Sequence, residues 1–248
     1  MNENKLKTIC VVGLGYIGLP TAVVLASRGT TVIGVDVNKD VVAKINRGEI
    51  HIVEPDLDAV TARVVQNGLL RAATAPVAAD AFVIAVPTPF HENKADLTYV
   101  HAAAASVAPV LKKGDLVVLE STSPPGTTES MVTQLAALRP DLRFPKVGED
   151  GCDVHVAYCP ERVLPGRVLV ELVENDRVIG GITPECSARA EELYQIFCTS
   201  SLLKTGVRTA EMCKLTENSF RDVGIAFANE LSIICEKLGI NVWEVIRL

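Results

Sequence analysis

The chain has 248 residues, 48% of them hydrophobic and only 4% aromatic, with a formal net charge of -6. That length is enough for one sizeable core and part of a second, and the acidic balance argues against a general binder of nucleic acid or anionic membrane. No apolar run is long enough to cross a bilayer, no secretory leader is evident before the first strand, and a cytoplasmic protein is expected.

In chain order, an apolar run from Ile9 to Val12 breaks into Gly13-Leu-Gly15-Tyr-Ile-Gly18 and then into an apolar helix-like segment. Such a strand, turn and helix suits a dinucleotide: Gly13 permits the bend, Gly15 lets backbone approach a pyrophosphate, and Gly18 lets helix pack on strand. A glycine-rich turn with no ligand remains the alternative. Thr31–Val35 reads as a second strand ending in Asp36, where a carboxylate accepts from an adenosine ribose and repels a 2′-phosphate, which favours NAD over NADP. Asp36 could equally cap the helix that follows. Glu54-Pro55-Asp56 reads as a turn opening a helix over residues 57–67.

Ala81–Val86 and Leu116–Glu120 read as strands buried on both faces. Each opens onto a stiff loop, Pro87-Thr88-Pro89 and Ser121 to Thr128 respectively, and strand-end loops are where open α/β sheets bind ligands. Val154–Cys159 reads as another strand, running into Pro160-Glu161-Arg162-Val163, whose two charges suit either proton transfer and phosphate contact or a plain surface ion pair. Residues 177–181 read as the last strand. The expected fold is a Rossmann-type doubly wound parallel sheet spanning residues 1–205, followed over 206–248 by a long central helix that begins a second, helical domain.

That helix is expected to be capped by Thr209 and stopped by Gly239, with Met212, Leu215, Phe220, Val223, Phe227, Ile234 and Leu238 on a packed side. Lys214, Asn218 and Arg221 share a different side and could hold an oxyanion and a sugar, although Lys214 and Glu217 could also form a solvated i,i+3 pair. The seven cysteines are scattered and are read as reduced thiols. Cys152 and Cys159, with His155 between them, are close enough in sequence to pair or share a metal, but further ligands are not evident and no metal is expected.

Six segments in order resemble the UDP-glucose/GDP-mannose dehydrogenase family. They are Gly-Leu-Gly-Tyr-Ile-Gly-Leu-Pro (13–20), Val-Pro-Thr-Pro (86–89), Glu-Ser-Thr-Ser-Pro-Pro-Gly-Thr-Thr (120–128), Tyr-Cys-Pro-Glu-Arg-Val-Leu-Pro-Gly (158–166), Arg-Val-Ile-Gly-Gly (177–181) and Thr-Ala-Glu-Met-Cys-Lys-Leu-Thr-Glu-Asn-Ser-Phe-Arg-Asp-Val (209–223). Residues 48–57 and 239–248 are most similar to the branch acting on UDP-N-acetyl-D-mannosamine. The resemblance implies a twofold, NAD-dependent oxidation of a nucleotide-sugar C6 alcohol to the uronate. It places Tyr16, Ile17, Asp36, Thr88 and Thr128 at NAD, and Arg162, Val163, Lys214, Asn218 and Arg221 at the nucleotide sugar. Lys214 matches the family's proton donor and acceptor, with Asn218 beside it at the oxyanion. Thr122 and Glu161 match positions that place water or relay protons.

The family's cysteine nucleophile, in a Gly-Gly-His/Ser-Cys motif, has no counterpart in this sequence, and Cys213 faces another way from Lys214. A fragment with little activity alone, associating as a homodimer through the central helix, is therefore expected. Other UDP- or GDP-sugar dehydrogenases, a 6-phosphogluconate or β-hydroxyacid type of dehydrogenase, and a non-catalytic NAD-binding module are the alternatives.

Overall fold

A computed structural model describes residues 6–92 and 94–248. Residues 1–5, part of the stretch searched for a leader, lie outside the described residues. The elements run β1 (Thr8–Val12), α1 (Gly18–Ser27), β2 (Thr31–Val35), α2 (Lys39–Asn46), α3 (Leu57–Gln66), β3 (Leu70–Ala73), β4 (Ala81–Ile84), a two-stranded ribbon β5 (Phe90–His91) and β6 (Lys94–Ala95), and α4 (Thr98–Val107). Then come β7 (Leu116–Leu119), α5 (Thr127–Leu138), β8 (His155–Tyr158), α6 (Val168–Glu174), β9 (Arg177–Gly181), α7 (Pro184–Tyr194), β10 (Leu202–Gly206), α8 (Val207–Leu238) and α9 (Val242–Arg247).

Eight strands form one sheet in the order β10-β9-β8-β7-β4-β1-β2-β3. From β3 to β8 every pairing is parallel, and the order reverses between β1 and β4, the switch point at which such sheets open a ligand crevice. Side chains alternate across the sheet. Ile9 and Val11 pack with Leu57, Leu172 and Leu193 on one face, while Cys10 and Val12 pack with Val100, Met131 and Leu135 on the other. Both faces are covered, which is why β1, β4 and β7 read as unbroken apolar runs. Cutting Phe82, fully buried, back to alanine would cost about 3–5 kcal/mol.

Three expectations need correcting. Residues 177–181 are not the last strand, because β10 adds to the sheet's outer edge, parallel to β9. It is half-exposed and lacks alternation, so no apolar period announces it. The sheet is also not wholly parallel: β9 runs antiparallel to β8, pairing Tyr158 with Gly180 and Ala157 with Gly181. The seven-residue α6 keeps the chain at the same sheet edge instead of carrying it back across. Finally, α8 starts at Val207 with Gly206 as its N-cap, so Thr209 lies inside the helix and does not cap it.

The apolar stripe on α8 departs from expectation as well. Only the first two turns are buried against the sheet, through Val207, Ala210, Glu211 and Lys214. Phe220 (82% exposed), Phe227 (69%), Val223, Ile234 and Leu238 stand in solvent, so the side expected to be packed is uncovered. The docking of α8 is set by Gly180 of β9, where a Cβ would lie 2.6 Å from Ala210 Cβ and 2.8 Å from Val207 Cα. Absence of that side chain lets the helix sit directly on the strand and aims Lys214 at the neighbouring strand's end.

Candidate active site

The site is built from the loops that leave the C-terminal ends of β1, β4, β7 and β8, with α8 closing one side. At β1 the turn is tight: Gly13 has φ +93°, and a Cβ on Gly18 would fall 1.8 Å from the Gly13 carbonyl oxygen. Above Gly15, by contrast, a Cβ would meet nothing within 4 Å, leaving backbone open to an approaching group. Helix α1 has Ile17 at its N-cap with no side-chain cap; the Leu19 N–H donates to the Gly15 carbonyl at 3.1 Å and Pro20 has no N–H, which leaves the Gly18 N–H at the helix start for an anion. Asp36 stands beside this turn and does not cap α2, whose cap is Asn38. Its carboxylate accepts from the Leu14 N–H at 3.0 Å and the Asn38 N–H at 2.9 Å, which fixes it at the end of β2 facing the glycine turn.

The loops after β4 and β7 are tied to each other. Thr88 Oγ1 donates to the Thr122 carbonyl and Ser121 Oγ to the Val86 carbonyl, each at 2.7 Å. Between them and α1 lies a cleft of about 170 Å³ lined by Ile17, Val86, Thr88, Ser121, Thr122 and Glu161. Ile17 and Thr88, expected at the cofactor, therefore share one cleft with Thr122 and Glu161, expected at catalysis. Thr128 sits apart from them: it is fully buried, and its hydroxyl donates to Glu211 at 2.7 Å. Glu211, from α8, also accepts from the Gly126 and Thr128 N–H groups, filling the anion position at the start of α5 with a carboxylate of the chain itself. Burial pushes the Glu211 carboxyl above the usual range despite these donors.

Glu161 and Arg162 do not form a pair with each other. Lys214 Nζ donates to Glu161 Oε1 at 2.8 Å, with both side chains largely buried, while Glu161 Oε2 accepts from the Val163 N–H at 2.9 Å. Lys214 is thus not paired with Glu217, which instead takes the Arg162 guanidinium through two contacts. Arg162 also donates to the Asp176 carbonyl at 3.0 Å. A second, larger cleft of about 610 Å³ is bounded by Arg162, Glu171, Asn175, Glu217, Phe220 and Arg221. Asn218, half-buried, lies one turn beyond Lys214 with its amide engaged by no described residue.

Four supporting residues escape sequence reasoning. Glu54, buried in its turn, accepts from the Tyr16 hydroxyl, the Gly166 N–H at 3.0 Å and the Val168 N–H at 2.7 Å, so it links the glycine turn to the far end of the Glu161 loop. Burial is the largest influence on its carboxyl and pushes upward, but these three donors together outweigh it and hold the group below the usual range. The same bond pushes the Tyr16 phenol up. Beneath the smaller cleft, Glu120 accepts from the Tyr194 hydroxyl at 2.8 Å and faces Arg177 at 3.8 Å. The Arg177 guanidinium lies over the Tyr194 ring at 4.7 Å. Burial pushes the Glu120 carboxyl upward, and Arg177 opposes it. The signal for Glu120 and Arg177 is a single charge at the margin of an apolar strand. Glu211 and Glu54 carry none that separates them from surface acids.

Cys159, the thiol nearest Glu161 in sequence, is fully buried and pushed up to about 11 by that burial, so it stays protonated and is not placed to act as a nucleophile. Among the described residues no helix is long and apolar enough to cross a membrane.

Known proteins match nearly the whole chain. Residues 7–198 match the model of the UDP-glucose/GDP-mannose dehydrogenase family NAD binding domain, and residues 208–248 match the family's central domain. The chain is 66% identical over 242 residues to UDP-N-acetyl-D-mannosamine dehydrogenase of Escherichia coli (strain K12), covering 97% of this chain and 58% of that protein. It is 64% identical over 243 residues to NDP-N-acetyl-D-galactosaminuronic acid dehydrogenase of Ralstonia nicotianae, covering 98% and 57%. Among solved structures, the UDP-D-ManNAc dehydrogenase of Pyrococcus horikoshii superposes with a TM-score of 0.90 at 43% identity, covering 97% of this chain and 56% of that one. The chain therefore spans a little under three-fifths of the length of these curated relatives.

Proposed function

Because the chain belongs to the UDP-glucose/GDP-mannose dehydrogenase family, we propose that it supplies the cofactor site and the proton-transfer pair for oxidising the C6 alcohol of UDP-N-acetyl-D-mannosamine to the uronate. NAD is the cofactor of this domain. The residues fit it: the uncapped start of α1, the open backbone at Gly15 and the Asp36 carboxylate suit a pyrophosphate and a ribose. When bound, NAD⁺ accepts hydride from C6.

The chain's own residues manage the proton and the charge. Lys214 and Glu161, 2.8 Å apart, form a pair that takes up the hydroxyl proton as hydride leaves C6. The Lys214 ammonium and the free Asn218 amide then stabilise the oxygen as negative charge develops on it. Thr122, which lines the smaller cleft together with Glu161, orients water with it for the later hydrolysis. Arg162 and Arg221 on the larger cleft attract the diphosphate, with Glu217 holding Arg162 in place and Val163 fixing the loop through its N–H to Glu161.

The observation that carries the proposal is that Glu161, paired with Lys214, lines the cleft that Ile17 and Thr88 also line. Cys159, the thiol nearest Glu161 in sequence, is buried and protonated, so the chain by itself should bind NAD⁺ without sustained turnover. Residues 1–205 form the proposed NAD-binding domain and 206–248 the start of a helical domain through which a cytoplasmic homodimer assembles. The test is a chimera joining this chain to the part of the Escherichia coli relative that the match leaves uncovered, assayed for NADH formation with several nucleotide sugars. UDP-N-acetyl-D-mannosamine should be preferred. Preference for UDP-N-acetyl-D-galactosamine would favour the second reading, which the 64% identity to the Ralstonia relative supports, and activity on neither would reject the proposal.

A further inference from the structure

At the opposite end of β8 from the active site, three soft donors converge. His155 opens the strand, Cys152 precedes it by three residues, and Cys186 lies in the first turn of α7. Their ligand atoms all lie within 4.8 Å of one another. Cys159, the partner that sequence spacing suggests for Cys152, is at the other end of the strand and takes no part.

The geometry has the dimensions of a zinc site. Cys152 Sγ is 3.5 Å from His155 Nδ1. In a tetrahedral site with Zn–S of about 2.3 Å and Zn–N of about 2.0 Å, a sulfur and a nitrogen ligand stand about 3.5 Å apart. Cys186 has the surroundings of a metal-bound thiolate: its sulfur accepts from the Val156 N–H at 3.4 Å and the Thr183 hydroxyl at 3.3 Å, at the positive end of an eleven-residue helix.

The backbone is already pinned on the other side. Asp153, between Cys152 and His155, accepts from the Arg143 N–H through its carboxylate and donates its own N–H to the Arg143 carbonyl, and the His155 N–H donates to the Asp115 carbonyl. Cys152 and His155 are half-buried, so an ion has a route in from solvent. A disulfide would use only the two sulfurs, whereas two thiolates and one imidazole converging is the donor set that suits Zn²⁺.

We propose that Cys152, His155 and Cys186 bind one zinc ion, with solvent in the fourth position, clipping the loop before β8 to the start of α7. In chain treated with chelator and titrated with Co²⁺ alone under reducing conditions, one equivalent should produce the intense visible band of a tetrahedral site and a sulfur-to-cobalt band in the near ultraviolet, both abolished by Zn²⁺. Cys186→Ser and His155→Gln should weaken binding at least about tenfold, and Cys198→Ser should leave it unchanged. Where Cys186→Ser fails to fold, Cys152→Ser, at a half-buried position, serves in its place, and retained NAD⁺ binding reports an intact fold. A parent spectrum without the tetrahedral band, the same band and stoichiometry in the Cys152 and Cys186 variants, or a Cys152–Cys186 disulfide that forms in air in preference to metal uptake would each overturn the proposal.

Discussion

Lys214 Nζ lies 2.8 Å from Glu161 Oε1, joining the second turn of α8 to the loop after β8 across 53 residues of sequence. Under the proposed function this contact is the pair that takes up the C6 hydroxyl proton. In the chimeric enzyme, Lys214→Met should lower kcat by roughly 10²–10⁴-fold. Glu161→Gln should lower kcat more than it raises KM, and NAD⁺ affinity should stay within about twofold, since neither group belongs to the glycine turn. Loss of NAD⁺ binding in Lys214→Met would show the pair to be structural.

Glu54 carries a pH signature. Its carboxyl is held below the usual range in the fold, so its stabilising effect is complete above the unfolded-state value of about 4.3 and is lost as pH falls through the lower folded value. Glu54→Gln should destabilise the chain by about 2 kcal/mol at pH 7. The gap from the parent should be unchanged at pH 6 and should shrink below about pH 4. Urea unfolding at these pH values checks it, and a gap that widens on acidification would contradict the assignment.

Two glycines three positions apart, Gly15 and Gly18, should behave differently. Gly18→Ala places a Cβ 1.8 Å from the Gly13 carbonyl oxygen and should cost stability by about 2 kcal/mol or more as α1 shifts away from β1. Gly15→Ala meets nothing within 4 Å and should leave the melting temperature unchanged while weakening NAD⁺ binding. Paired thermal melts and NAD⁺ titrations separate the two.

The uncovered stripe on α8 predicts association. With Phe220, Val223 and Phe227 exposed along one helix, the chain should sediment as a dimer at micromolar concentration, and Phe220→Asp with Phe227→Asp should shift it toward monomer without changing its melting temperature. A parent that is monomeric at every concentration would remove the proposed interface.

Much of this was legible in the residues, and the omissions have physical causes. The buried strands show themselves because β1, β4 and β7 are covered on both faces, and the glycine turn and Asp36 show themselves because their spacing is local. Strand β10 hides because an edge strand with half its surface in water needs no apolar period. The antiparallel β9 hides because direction is decided by where α6 leaves the chain, not by the strand's own side chains. The exposed stripe on α8 has the same spacing as a packed one, since a helix that will be covered by another surface and one already covered use the same pattern. The roles of Glu54, Glu120, Arg177 and Glu211 depend on partners up to 114 residues away in sequence, which no local motif reports.

The most direct test of the central claim is calorimetric titration of NAD⁺ into this chain and into its Asp36→Ala variant. The parent should bind one NAD⁺ saturably and the variant about tenfold or more weakly, as expected for losing a hydrogen bond to a charged group at a ribose. No saturable NAD⁺ binding by the parent, or equal affinity in the variant, would contradict that claim.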